Sequence, residues 1–314
     1  MLRTILFLLA TLLALPIISW YSDAPLRPEQ WVLLQNLGWI MLGVALICFV
    51  VSEITGNYSQ VDKLWSLVPI LYVWYAAFEA GLTPRLTLMA VLVSLWVARL
   101  TFNFARRGGY QWPPWAGEED YRWSVLRQTP LLSRPWAFRL FNLFFISLYQ
   151  NTLILLFTLP IVAAWRGDGN LGAADWLLAL VFVGLLIMET VADQQQYDYQ
   201  TEKHRRIAAG EPLAGIYAAG FTHTGLWARM RHPNYAAEQA IWICFYCFSI
   251  PATDRWLNWS LAGAILLVLL FMGSSDFSEK ISAGKYPAYT DYQKRTPRFF
   301  PRLGGGNKGI ELNG

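Results

Sequence analysis

The chain has 314 residues, of which 55% are hydrophobic and only 15% charged, and its mean hydropathy is +0.32. Soluble domains carry about a quarter charged residues, so this depletion excludes an ordinary soluble globular protein and points to the bilayer. The formal net charge is +4, and its distribution along the chain reads as a signal of membrane topology; nothing in it calls for nucleic acid.

Taken in order, apolar stretches lie near 4–21, 32–52, 65–83, 86–104, 138–164 and 174–194, close to the roughly 17–25 residues that cross a bilayer. Two more, near 236–251 and 257–275, are shorter or less clean and read as a hairpin. The expected fold is all-α, a polytopic membrane helix bundle of about 7–8 transmembrane helices. The first stretch, MLRTILFLLATLLALPIISW, opens with Arg3 but offers no small-x-small cleavage site. It reads as a retained helix and not as a signal peptide. The expected organisation is transmembrane helices over 1–52, a main membrane domain over 53–302 and a disordered tail over 303–314, containing GGNKGIELNG.

Lys and Arg set the orientation. With the N-terminus inside, 20 of the 25 basic residues fall on inside segments; only Arg27, Arg85, Arg166 and Arg255 fall outside, and Arg99 lies within a span. Both termini and the two long polar loops, 105–137 and 195–235, are therefore expected on the cytoplasmic side. The first loop, FARRGGYQWPPWAGEEDYRW, reads as ordered and interfacial, and DQQQYDYQTEKHRR reads as the sixth span continuing beyond the bilayer. Cys48, Cys244 and Cys247 all sit in apolar spans. The ICFYC spacing lacks the further ligands of a metal site and the polar setting of a redox pair, so these read as packing residues and no metal is expected. No G-x-G-x-x-G or Walker loop is present, so any nucleotide must bind without those cradles.

Ionisable groups in or beside a span are functional candidates by default. They are Glu53 at the end of the second span, Asp62 in VDKLWS, and Arg99 and Arg106, whose spacing places them with the polar Asn103 on one helix face. Glu189 and Asp193 lie four apart in the sixth span, and Asp276 and Glu279 close the last. The stretch RMRHPNYAAE stands out most. Pro233 suits a first helical position. The N-terminus it opens favours an anion such as phosphate, with Arg231 just before it, while Asn234 and Glu238 share one side of the first turns. A phosphate-bearing ligand with a polar sugar or amide fits those groups, and so does a plain cap with Arg231 reaching lipid headgroups.

GLWARMRHPNYAAE closely resembles the signature of the steroid 5α-reductase C-terminal family, in particular its bacterial branch DUF1295. VDKLWS at 61–66, RLTFNFARRGGY at 99–110 with EEDYRW at 118–123, METVADQQ at 188–195 and KYPAYTDYQKRTPRFFP at 285–301 resemble successive blocks of that family, in order, over roughly residues 50–301. The resemblance implies an integral membrane reductase, in the cytoplasmic membrane if bacterial. It would bind NADPH and reduce an enone-type carbon–carbon double bond of a steroid-like or other lipid substrate. Carried onto this sequence, Arg106, Glu189 and Asp193 lie on the cofactor side. Asn234 and Glu238 match nicotinamide and ribose contacts, with Arg231, His232 and Tyr235 in the same block. Lys285, Tyr286 and Tyr289 lie where the family closes over the nucleotide. The arginines favour a 2′-phosphate, hence NADPH over NADH.

The pattern departs from characterised steroid reductases at the proton donor. Where those place a tyrosine, this chain has Asn103, and Glu53 stands for their glutamate in unlike surroundings. Asparagine polarises a carbonyl but does not donate a proton as an ordinary acid. The donor is then Tyr58, Tyr110 or a water held by Asp62. Two other readings stand beside the reductase: a methyltransferase of the isoprenylcysteine type that uses S-adenosylmethionine, and a transporter or lipid-binding scaffold without chemistry. Membrane lipids are partners in each, and nothing in the sequence sets an oligomeric state.

Overall fold

The computed structural model describes residues 2–23, 25–165 and 169–301; the expected tail over 303–314 lies outside them. Every regular element among the described residues is helical: α1 (Leu2–Tyr21), α2 (Pro28–Thr55), α3 (Gln60–Trp65), α4 (Val68–Glu79), α5 (Pro84–Ala105), α6 (Tyr121–Arg127) and α7 (Pro135–Phe141). A π-helical segment (Asn142–Tyr149) leads into α8 (Gln150–Thr158) and α9 (Pro160–Ala164). Then come α10 (Ala173–Ala208), α11 (Pro233–Cys247), α12 (Ile250–Thr253), α13 (Leu261–Lys285) and α14 (Tyr289–Arg295). Proline marks the openings of α2, α4, α5, α7 and α9, where its fixed φ is already helical and its missing N–H costs nothing. Gly56 closes α2 at φ 68°, a conformation other residues adopt at a cost.

Six helices among the described residues are long and apolar enough to cross a membrane, the chain from Pro135 to Ala164 counting as one. The expected spans near 65–83 and 236–251 are helical as well, but α4 has 12 residues and α11 has 15, short of the roughly 17–25 a straight crossing needs. The chain is a polytopic helical membrane protein. α10 runs for 36 residues, about 54 Å at 1.5 Å per residue, so the helix of the sixth span does continue through the polar DQQQYDYQTEKHRR stretch.

Contacts divide the chain into two compact units, with divisions inside α10, α11 and α13. Unit 1 comprises Met1–Phe182 and Trp242–Leu267; unit 2 comprises Val183–Ile241 and Val268–Gly314. The core of unit 1 is aromatic and aliphatic. Trp96 and Trp242 meet edge to face at 4.9 Å, and Phe157 lies 4.1 Å from Trp242. Gly263 lets two backbones approach: a Cβ there would come within 2.2 Å of the Leu156 carbonyl oxygen, the use membrane bundles make of small residues. Cys48 and Cys244 are buried in this unit, the Cys244 thiol reaching the Leu178 carbonyl at 3.3 Å. Arg85, expected as a loop charge, is instead 6% exposed, and its guanidinium grips Asp175 at 2.9 and 3.1 Å. Burial of both partners requires that pairing, since either charge alone would be costly.

In unit 2 a smaller aromatic core of Phe221, Tyr289 and Tyr292 holds the turn after α10 against α14. Gly220 sits at φ 78°, and a Cβ on it would lie 2.5 Å from the Tyr286 ring.

Candidate functional site

Unit 1 carries the polar loops that follow α2 and α5. Asn57 donates to the Gly117 carbonyl at 2.9 Å and Gln60 to the Trp115 carbonyl at 2.8 Å. Lys63, 5% exposed, points its ammonium at the carbonyls of Pro114 and Ala116 and at Gln60. Three donors meet three acceptors, which is what makes a buried ammonium tolerable without a carboxylate. Burial nonetheless pulls the Lys63 pKa down, with the Asp62 charge opposing. The glycines complete the fit: a Cβ on Gly109 would enter the Phe104 ring at 2.3 Å, and one on Gly117, at φ 125°, would come within 2.5 Å of the Gly109 carbonyl. VDKLWS and RRGGYQWPPWAGEED are thus two halves of one fold.

The five candidates for the chemical step, Glu53, Tyr58, Asp62, Asn103 and Tyr110, lie in this unit. Tyr110 donates its hydroxyl to the Lys63 carbonyl at 3.0 Å and shares a hydrogen bond with Ser66, while burial raises its pKa. It is a tie across the loop and a weaker acid than free tyrosine. Tyr58 is also raised by burial, with Glu53 adding to it. Glu53 accepts from Asn142 at 2.8 Å and pairs with Arg139 at 3.2 Å, anchoring the π-helical segment to the end of α2. From the end of α7 through that segment, Phe141, Phe145 and Tyr149 stack in sequence at 5.1 Å each. Asn103, 9% exposed, accepts two bonds from the Arg106 guanidinium at 3.0 and 2.7 Å, as their i, i+3 spacing requires. Those bonds fix the oxygen of the Asn103 amide toward Arg106 and make its nitrogen the other end.

Asp62 differs from the rest. The Trp123 indole N–H lies 3.5 Å from its carboxylate. Burial, and then the neighbouring Asp120 charge, push its pKa up to about 6. Burial acts on Asp120 too, but Arg122 outweighs it, donating from its side chain at 2.9 and 2.7 Å and from its backbone at 2.8 Å, and holds Asp120 below the usual carboxylate range. Two neighbouring acids with divergent pKa values are the arrangement in which one holds a proton and the other a charge.

Unit 2 gathers the other blocks. Ahead of α11, the backbone N–H groups of Arg231 and His232 donate to the carbonyls of Pro297 and Arg298 at 2.8 and 3.1 Å, so RHPN is tied to the TPRFFP tail. Glu279, 3% exposed, is the hub. It accepts from Arg231 at 2.7 and 3.1 Å, meets His232 at 2.8 Å and accepts from Gln293 at 2.8 Å. Arg231 also donates to the carbonyls of Gln293 and Thr296. Four of its five N–H groups are thereby directed into the fold. Arg231, read from the sequence as an anion contact or a cap, thus braces the start of α11 against α13 and the tail. Two residues earlier, Arg229 is exposed and has no ion pair among the described residues.

At the start of α11, which opens at Pro233 as its sequence predicts, Asn234 donates to the Asp193 carboxylate at 3.1 Å. Glu189, Asp193 and Glu238 are 4%, 4% and 5% exposed. Tyr235 stacks on His232 at 5.3 Å and meets Phe271 edge to face at 4.7 Å. The METVADQQ block is fastened to GLW, since Gln195 accepts the Leu226 N–H at 2.9 Å and the Trp227 indole donates to the Ala192 carbonyl at 3.1 Å. Lys285 is exposed over the Tyr286 ring, 5.4 Å from its centroid, whereas Tyr289 is buried in the aromatic core, where burial raises its pKa. Sequence reasoning noted Glu279 as an acid closing the last span but gave it no role, and it passed over Gln195 altogether. Their partners lie 47 and 31 residues away, and no local periodicity reports such pairs.

Comparison with known proteins gives the family. The profile described as "Protein of unknown function (DUF1295)" matches residues 48–296. An uncharacterised protein of Schizosaccharomyces pombe, C594.04c, is 39% identical, over 81% of this chain and 76% of its own length. No solved structure matches. The chain belongs to the DUF1295 family.

Proposed function

We propose that the protein is a membrane reductase that binds NADPH in unit 2 and saturates an enone-type double bond of a lipid, steroid-like or otherwise. The observation that carries this reading is the pairing of the buried Asp193 carboxylate with the half-buried Asn234 at the start of α11, with Glu238 one turn on. Carboxylate acceptors beside a carboxamide suit the hydroxyls of a ribose and the amide of a nicotinamide, so the residues present fit that group. NADPH, when bound, supplies the hydride. Asp193, Asn234 and Glu238 would hold its sugar and amide, and Arg229 and Lys285 would meet its phosphates. Arg231, His232 and Glu279 keep the start of α11 in place and do not themselves take the ligand.

In unit 1 the group suited to hold a proton is Asp62, whose carboxyl stays partly protonated near pH 6, either directly or through a water. Asn103, oriented by Arg106, supplies a donor N–H to a carbonyl oxygen where negative charge develops. Tyr110 is the poorer acid of the set, because its hydroxyl is already given to Lys63.

The test is a titration of the purified protein in detergent with NADPH, NADH and S-adenosylmethionine. NADPH binding that Asn234→Ala weakens, and that Arg229→Gln weakens more for NADPH than for NADH, supports the reductase. Binding of S-adenosylmethionine without NADPH transfers the site to methyl transfer and ends this reading.

A further inference from the structure

From Tyr121 to Phe144 the chain carries four arginines and no acidic residue. Three of the four are committed: Arg122 pairs with Asp120 at 2.7 Å, Arg127 with Glu119 at 2.6 Å and Arg139 with Glu53 at 3.2 Å. Arg134, just ahead of α7, is exposed and has no ion pair among the described residues. The helix it precedes has two unlike sides. Ala137, Phe138 and Phe141 are buried, with the Phe138 ring against Tyr58 at 4.8 Å. Trp136, Leu140 and Phe144 are exposed, and their spacing of four puts them in one row on the other side.

Helix length says what covers that row. The span from Pro135 to Ala164 has 30 residues, about 45 Å at 1.5 Å per residue, whereas the hydrocarbon core is about 30 Å thick. Its Ala164 end is already at a polar level. Gln30 donates to the Val162 carbonyl at 2.8 Å, and Arg27, which donates to the Trp165 carbonyl, pairs with Glu29 in an exposed ion pair. The excess of about 15 Å therefore falls at the Pro135 end, and α7 rises out of the hydrocarbon into the headgroup layer of the opposite face. α2 gives the same level: Glu53, the partner of Arg139, lies about 39 Å along it from Arg27. Phe144 thus sits where the hydrocarbon ends, and Trp136 sits at the level of the interfacial tryptophan belt.

We propose that the ledge from Arg134 to Phe144 is a docking surface for an anionic phospholipid of the leaflet at that face. Arg134 meets the phosphate, Trp136 lies beside the glycerol, and Leu140 and Phe144 follow one acyl chain inward. The charge balance selects the lipid, because the one arginine here without a carboxylate partner has no acid on its own stretch of chain to repel an anionic headgroup. This surface is separate from the reaction proposed above and does not depend on it.

The experiment is photo-crosslinking of the full chain in nanodiscs made of equal parts phosphatidylglycerol and phosphatidylcholine with the same acyl chains. The photoreactive residue p-benzoylphenylalanine is placed at Leu140 or, as a control at mid-span, at the exposed Leu42 of α2, and the lipid adducts are identified by mass spectrometry. Adducts at Leu140 are expected to favour phosphatidylglycerol about fivefold over those at Leu42, the worth of one basic residue at an anionic surface. Arg134→Gln is expected to bring the two positions level, and a thermal melt confirms that this variant is folded. Equal preference at Leu140 and Leu42 in the unaltered protein would overturn the proposal. So would a preference that survives Arg134→Gln, or adducts at Leu140 to a second copy of the chain in place of lipid.

Discussion

The two polar regions solve the same problem by opposite means. Around Lys63 in unit 1, a buried cation is satisfied by neutral carbonyls, and the acid beside it, Asp62, is left to be raised by burial. Around Glu279 in unit 2, an arginine and a histidine converge on one buried carboxylate. The first arrangement leaves a titratable group near neutrality; the second locks its charges together. A charged motif residue is therefore not automatically a ligand contact. Arg231 is a conspicuous charge in the sequence, and four of its N–H groups are committed to holding the fold.

The sharpest way to break this contrast is Glu279→Ala. It strands a buried guanidinium, and losing one partner of such a pair costs about 3–5 kcal/mol. The thermal midpoint in detergent is expected to fall by roughly 10 °C or more. Gly117→Ala attacks the other region through the backbone, since the residue sits at φ 125° against the Gly109 carbonyl. A loss of about 1–3 kcal/mol is expected by chemical denaturation. Lys63→Met leaves two carbonyls of the 113–117 loop without their donor. An effect of about 1–3 kcal/mol is expected, with faster proteolytic cleavage in that loop while unit 2 stays resistant.

The smallest effect separates the regions by pH. Asp62 has a folded pKa of about 6, above its ordinary value of 3.8, so the folded chain binds the extra proton between those values. Stability from this group is present below the ordinary value and is lost as pH rises through about 6. Asp62→Asn is expected to flatten that part of the stability curve. If Asp62 supplies the proton, the same substitution removes a fall in turnover above about pH 6.

The spans were legible because apolar length survives in one dimension, and α10 was legible beyond the membrane because nothing in DQQQYDYQTEKHRR breaks a helix. The Asn103–Arg106 contact was legible for the same reason, being set by helical spacing. What was hidden depends on distant partners. That a short helix, α3, forms ahead of the third span goes with Lys63 and Gln60 turning to a loop some fifty residues on. The Tyr110 hydroxyl looks like a proton donor until the Lys63 carbonyl is seen to accept it. The same holds for Arg231, which resembles an anion site in sequence and becomes a brace only once Glu279 and the tail carbonyls are folded against it.

The most direct measurement is NADPH affinity alongside the melting temperature for Asp193→Asn, a change that keeps the shape of the pair with Asn234 and removes its charge. Affinity weakened at least about tenfold, equivalent to about 1.4 kcal/mol, with a melting temperature close to that of the unaltered protein is the result expected of a cofactor contact. Unchanged affinity, or no NADPH binding by the unaltered protein, would contradict the reductase reading.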